Sequence, residues 1–67
     1  MKIWNVNVFW SQISNEDLGT YADKSKAIAA AHEEMGPEAW HVTYQTEDEI
    51  HFSNGPATLV IESIYVG

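Results

Sequence analysis

The chain has 67 residues, no cysteine, and ten Asp and Glu against three Lys and no Arg, which gives a net charge of −7. This composition excludes a disulfide framework, a cysteine-ligated zinc site and an arginine phosphate clamp. The negative charge also repels nucleic acid, phosphorylated ligands and anionic membranes. A chain of this length forms one domain, 1–67, and contains no apolar run of about 18 residues that would span a membrane.

The first predicted element is a β-strand over residues 3–11, where apolar and polar positions alternate. We expect one face to be buried; it carries Trp4, Val6, Val8 and Trp10. The other face mixes Asn5 and Asn7 with Ile3 and Phe9. Residues 12–18 are polar and predict a loop. Residues 19–21 predict a short strand that returns beside the first.

A helix is predicted over residues 24–35, which are rich in alanine. Asp23 is suited to the N-cap, Gly36 to the C′ position, and Pro37 prevents continuation. The expected buried stripe is Ala27, Ile28, Ala31 and Met35. Small alanine side chains allow a helix to approach a sheet closely.

The remaining residues predict three strands. The first two of these strands are predicted over residues 40–45 and 50–53. Between them lies the acidic triplet Glu47-Asp48-Glu49, which we expect at the tip of a hairpin. An odd number of loop residues is needed to place the apolar set of both strands on one face, namely Trp40, Val42, Tyr44, Ile50 and Phe52. A second turn, Asn54-Gly55-Pro56, precedes a strand over residues 57–66. That strand is apolar on both faces, which is typical of a central strand.

These elements predict an α+β fold: a small antiparallel sheet of three to four strands with one helix, residues 24–35, packed on one face. We expect the first and last long strands to pair antiparallel. The other face of the sheet is then open, and it carries Asn5, Asn7, His41, Thr43, Gln45 and His51.

Residue patterns that support catalysis are not found in the sequence. None of the five serines lies in a Gly-x-Ser-x-Gly turn, and the four isolated glycines form no phosphate-binding loop. His32 begins a His-Glu-Glu-Met segment that lacks the second histidine of a zinc-protease helix, because position 36 is glycine. His41 and His51 share a face and, with a carboxylate, could hold a divalent cation; the alternative is two solvated histidines. We expect a non-enzyme without cofactor or metal.

The whole net charge lies in residues 27–67, which contain seven acidic residues and no Lys or Arg. In the predicted helix, Lys24 and Lys26 lie at the positive end of the dipole, and Glu33 and Glu34 lie at the negative end. Each such charge forgoes a few tenths of a kcal/mol. Either this is a solvated face without further role, or the carboxylates serve a partner.

Two kinds of partner surface follow. The acidic candidates, which would bind a basic protein surface and not nucleic acid, are Glu33, Glu34, Glu38, Glu47, Asp48 and Glu49. The candidate interface anchors are Trp10, Trp40 and Phe9, because a sheet this small cannot cover every aromatic ring. Alternatively, the protein is a structural or regulatory module that forms a homodimer through the open sheet face, using Ile3, Phe9, Val60 and Ile64.

The segment over residues 19–28, GTYADKSKAI, resembles the strand-to-helix step of many small orphan proteins encoded by bacteriophages. Size, acidity and lack of cysteine are similar to those of phage anti-defence proteins, including anti-CRISPR proteins, several of which act as nucleic-acid mimics. The resemblance is one of general type and transfers no functional residue. It implies an inhibitor that occupies the nucleic-acid-binding site of a host defence complex, such as a CRISPR-Cas effector. We expect a cytosolic protein presented whole.

Overall fold

One antiparallel sheet of five strands forms the frame of the protein, and an α-helix crosses one of its faces. The computed structural model describes residues 1–10 and 14–66. The elements are β1 Lys2–Trp10, β2 Ser14–Tyr21, α1 Lys24–Met35, β3 His41–Gln45, β4 Glu49–Asn54 and β5 Ala57–Tyr65. The strand order is β2-β1-β5-β4-β3. The predicted α+β class is confirmed, but the predicted three to four strands were too few.

The structure contains more strand than predicted because β2 begins at Ser14. A polar loop had been predicted over residues 12–18. Residues 14–17 instead pair with β1, with Ser14 opposite Trp10 and Asp17 opposite Asn7. β2 lies at the edge of the sheet and is largely exposed, so its polar side chains stay in water and show no apolar alternation. Residues 11–13, which include the predicted end of the first strand, lie outside the described residues.

β5 is the central strand, as its two apolar faces predicted. It pairs antiparallel with β1 on one side and with β4 on the other. Leu59 and Ile61 are fully buried on the face toward the helix. The second turn was predicted at Asn54-Gly55-Pro56; Asn54 is instead the last residue of β4 and pairs with Ala57, so the turn consists of Gly55-Pro56.

The helix α1 has the bounds that the sequence predicted. Ala27, Ala31 and Met35 are buried, and Ile28 packs partly buried against the same core. Asp23 occupies the N-cap position, although its side chain makes no capping hydrogen bond. Gly36 ends the helix with φ 63°, and its N–H donates to the His32 carbonyl at 3.0 Å. This positive φ explains the glycine.

The hairpin of β3 and β4 differs from its predicted register. Val42 lies opposite Phe52 as expected, but a bulge follows, and Tyr44 lies opposite His51 instead of Ile50. Because a one-residue shift reverses the faces, Tyr44 joins the open face, and Gln45 leaves it to lie opposite Ile50. Every residue of β3 is exposed.

The central position of β5 generates a test that compares equal substitutions on its two faces. Ile61→Val removes a methyl group from the buried face and is expected to lower the free energy of unfolding by about 0.5–1.5 kcal/mol. Ile64→Val makes the same change on the half-exposed face and is expected to cost less than about 0.5 kcal/mol. Urea denaturation measures both. Equal losses would contradict the assignment of the two faces.

Candidate functional site

The six acidic residues singled out by the sequence form two clusters. The hairpin-tip cluster is Glu47, Asp48 and Glu49, and the helix-end cluster is Glu33, Glu34 and Glu38. The tip joins the start of β4, while Asn54, at the other end of β4, donates its side-chain amide to Glu38 Oε2 at 2.8 Å. Six strand residues span roughly 17 Å, about twice the screening length in physiological salt. The two clusters therefore act as separate surfaces.

The hairpin-tip cluster is largely occupied by contacts within the protein. Lys2 Nζ donates to Asp48 Oδ1 at 2.5 Å, and Ser63 Oγ donates to the same oxygen at 3.1 Å. The Ser63 backbone N–H also donates to the Asp48 carbonyl at 2.9 Å. Glu49 Oε1 lies 3.0 Å from His51 Nε2. These contacts fasten the tip to β1 and β5.

The Lys2–Asp48 pair shifts the pKa of both groups. The hydrogen bond from Lys2, followed by that from Ser63, lowers the pKa of Asp48 below 3.8. The hydrogen bond to Asp48 raises the pKa of Lys2 above 10.5, although partial desolvation opposes it. The Asp48 contribution to stability is therefore present above about pH 4 and is lost as pH falls through its folded pKa. The Lys2 contribution is lost only as pH rises through its own raised pKa.

All three lysines lie at the end of the sheet where α1 begins. Lys24 Nζ donates to the Glu47 backbone carbonyl at 2.9 Å. The Lys2 and Lys24 ammonium groups lie 5.4 and 5.2 Å from the ring centroid of Trp4. Lys26 Nζ lies 3.8 Å from an Asp23 carboxylate oxygen. These contacts explain a lysine at the positive end of the helix, where the dipole alone disfavours it.

The helix-end cluster is different because it lies far from these cations. Glu33 and Glu34 are exposed in the last turn of α1, and neither forms an ion pair within residues 1–10 and 14–66. Glu38 follows the helix and is held by the neutral amide of Asn54. The C-terminal carbonyl groups of a helix add negative potential at this end. Within the described residues, this surface therefore carries three carboxylates that form no ion pair.

A pocket of about 150 Å³ opens beside the helix-end cluster, and it is lined by His32, Met35, Gly36, Glu38, Trp40 and Phe52. Trp40 Nε1 donates to the Met35 carbonyl at 3.3 Å, which holds the indole against the helix end. The His32 and Phe52 rings meet edge to face, with centroids 6.3 Å apart. The sequence singled out Trp40 and Glu38 as candidate binding residues and placed Phe52 on the same face as Trp40, but it did not indicate that Phe52 lines a pocket with them. The signal for it was the short connection from Gly36 to Trp40, which keeps β3 close to the helix end.

The other two candidate anchors lie elsewhere, at the end of β1. Trp10 is 43% exposed, as expected of a candidate anchor at the end of a strand, although the face it shares with Trp4, Val6 and Val8 is otherwise buried. Phe9 is 38% exposed on the open face, opposite Thr58. The structure therefore brings neither residue into the pocket at the helix end.

The two histidines of the hairpin share the open face, as the sequence predicted, but they are not directly opposite each other. His41 lies opposite Ser53, and the ring of Tyr44 packs on His51 with centroids 5.1 Å apart. Within the described part of the chain, no group of three or more His, Asp or Glu residues has a geometry that could hold a metal ion.

Comparison of the chain with family models, with curated proteins and with solved structures finds no match. In residues 1–10 and 14–66, no helix has the length and apolar character needed to cross a membrane. The functional interpretation therefore rests on the charge distribution and on the pocket beside it.

The Lys2–Asp48 pair generates a pH test. Asp48→Asn removes the carboxyl group whose pKa is lowered in the folded protein. The stability of the variant is therefore expected to depend less on pH below about pH 4 than that of the wild-type protein. Thermal unfolding at several pH values measures this slope. Glu47→Gln is the matched control, because it removes a neighbouring carboxylate that forms no ion pair in the described structure. An unchanged acid slope in Asp48→Asn would contradict the assignment.

Proposed function

We propose that this protein is a non-enzymatic binding protein that docks its helix-end cluster on a basic surface of another protein. The observation that supports this most directly is the separation of charge along α1. All three lysines are engaged where the helix begins, and three carboxylates without a nearby lysine lie where it ends. This end of the molecule therefore attracts cations.

The energetics favour an intermolecular role for the helix-end cluster. Two adjacent carboxylates at a helix C-terminus oppose the dipole and each other, at a cost of a few tenths of a kcal/mol per charge. A basic partner would remove both penalties on binding. Complementary charge would also increase the association rate and make the affinity sensitive to salt.

A basic protein surface large enough to receive this cluster is typical of a nucleic-acid-binding channel. We therefore propose an inhibitor that occupies such a channel in a bacterial defence complex, in the cytosol of the host. The support is the acidic helix end together with the general resemblance of the chain to phage anti-defence proteins. The proposed partner is thus a protein, and nucleic acid would compete with this chain for the same channel on that partner.

The alternative function is a homodimeric module that pairs through the open sheet face. One observation favours it: Ile3, Phe9, Val60 and Ile64 all lie on this face, with Ile3 directly opposite Ile64. Three carboxylates oppose it. Glu49 lies directly opposite Glu62, Asp17 lies opposite Asn7, and none of the three lysines lies on this face. Burying these charges in a symmetric interface would be costly because no lysine would accompany them, and His51 contacts only Glu49.

The binding proposal is tested by charge reversal with a matched control. The variant Glu33→Lys/Glu34→Lys is expected to lose at least about tenfold in affinity for a fluorescein-labelled deca-lysine peptide at low salt. Fluorescence anisotropy measures binding, and wild-type affinity is expected to fall steeply from about 50 to about 500 mM NaCl. Lysine is favourable at a helix C-terminus, so the variant is expected to keep its fold.

The control is Glu16→Lys/Glu47→Lys, which changes the net charge by the same amount at two exposed sites away from the helix end. It is expected to lose much less affinity than the helix-end variant. An equal loss in both double variants would mean that only the total charge matters, and the proposed site would be wrong.

The alternative is tested by light scattering. We expect a monomer, because the open face carries uncompensated carboxylates. A dimer that Phe9→Ser converts to a monomer would support the homodimer instead. The same substitution is expected to leave deca-lysine binding unchanged if the helix end is the binding site.

A further inference from the structure

The pocket at the helix end has a composition that selects a particular ligand group. Its lining combines the apolar and aromatic side chains of Met35, Trp40 and Phe52 with the carboxylate of Glu38, and it is completed by His32 and Gly36. We propose that this pocket receives one arginine side chain of the protein partner. The identity of the partner group rests on the proposed function, but the pocket and its selectivity can be tested separately.

The size of the pocket restricts its occupant. Sites for cofactors and drug-sized ligands measure about 300–1,000 Å³, and this pocket measures about 150 Å³. A cavity of about 150 Å³ holds a group the size of a benzene ring. The pocket is therefore suited to one side chain and too small for a nucleotide or a dinucleotide cofactor.

The charges around the pocket require a cationic group. Asn54 donates to Glu38 Oε2 and orients the carboxylate, which leaves Oε1 without a hydrogen-bond donor in the described part of the chain. The helix C-terminus adds its negative dipole end, and Glu33 and Glu34 lie in the same helical turn. The Trp40 N–H already donates to the Met35 carbonyl, so among the lining side chains only the His32 ring could donate to an anion.

The aromatic walls favour arginine over lysine. A planar guanidinium stacks on an indole face and donates two parallel hydrogen bonds to a carboxylate, whereas an ammonium is a compact, strongly hydrated point charge. The Trp40 indole is fixed by its hydrogen bond, and the Phe52 ring is fixed by burial in the core. A ligand side chain would thus enter a site that is already formed, which limits the entropy lost on binding.

The experiment is a titration of the ¹⁵N-labelled protein, followed by NMR. The probes are three pentapeptides, acetyl-Gly-Gly-X-Gly-Gly-amide, in which X is arginine, lysine or citrulline. Citrulline has nearly the shape of arginine without its charge. The arginine peptide is expected to bind about tenfold more tightly than the citrulline peptide and roughly threefold more tightly than the lysine peptide. The shifts are expected at the Trp40 indole N–H and the Gly36 amide. Equal binding of the arginine and citrulline peptides would overturn the proposal, as would shifts confined to other residues.

Two variants locate the interaction. Glu38→Gln keeps an acceptor for Asn54 but removes the charge, and it is expected to weaken arginine-peptide binding about tenfold. Trp40→Leu keeps an apolar wall but removes the aromatic face, and it is expected to abolish the preference for arginine over lysine. Glu47→Gln, which removes one carboxylate at the hairpin tip, is expected to change neither. Unaltered binding in Glu38→Gln would overturn the proposal even if Trp40→Leu failed to fold.

Failure of this inference and failure of the proposed function give different results. If deca-lysine binding responds to the helix-end reversal but arginine and citrulline bind equally, the pocket proposal is wrong and the binding proposal stands. If arginine binds the pocket selectively but deca-lysine binding does not depend on Glu33 and Glu34, the pocket is real and the proposed use of the acidic surface is wrong.

Discussion

The burial of β5 between β1 and β4, under a helix that approaches through alanine, is the constraint on which the other features depend. Leu59 and Ile61 are fully covered because Ala27 and Ala31 let α1 lie close to the sheet. A chain of 67 residues has no disulfide to replace this core. Because β5 is central, β1 and β4 both run antiparallel to it. This arrangement decides which charged side chains lie at each end of the sheet.

The charged residues are divided between these two ends in an unequal way. At one end, Lys2 and Lys24 serve the structure, because they bind the hairpin tip and cover Trp4. At the other end no lysine remains, so Glu33, Glu34 and Glu38 keep their negative charge without an ion-pair partner in the described chain. The helix dipole makes that arrangement less stable within the monomer and more receptive to a cationic partner. Because the three lysines all make contacts within the protein where α1 begins, the carboxylates where α1 ends are left as a candidate binding surface.

Much of the fold was predictable because it depends on local pattern. The bounds of α1 followed from its alanine-rich run and from Gly36-Pro37, and the central position of β5 followed from its two apolar faces. The short strand predicted over residues 19–21 is part of β2, but the polar first half of β2 was mistaken for a loop, because an edge strand needs a partner and little burial, and its own residues do not show this. The bulge in β3 was also missed. It moved Tyr44 to the open face, and its position depends on the pairing with β4.

The sequence by itself determined the fold class, the helix, most of the core residues and the concentration of negative charge after residue 26, because periodicity and composition are properties of neighbouring residues. It also indicated Trp40 and Glu38 as candidate binding residues. It wrongly placed Val42 and Tyr44 among the buried residues. Only the tertiary structure decided which carboxylates form ion pairs within the protein. Asp48 belongs to an internal ion pair with a residue 46 positions away, whereas Glu33 and Glu34 have no such partner in the described chain. Pairing across that distance is set by the order of strands, which no local pattern records.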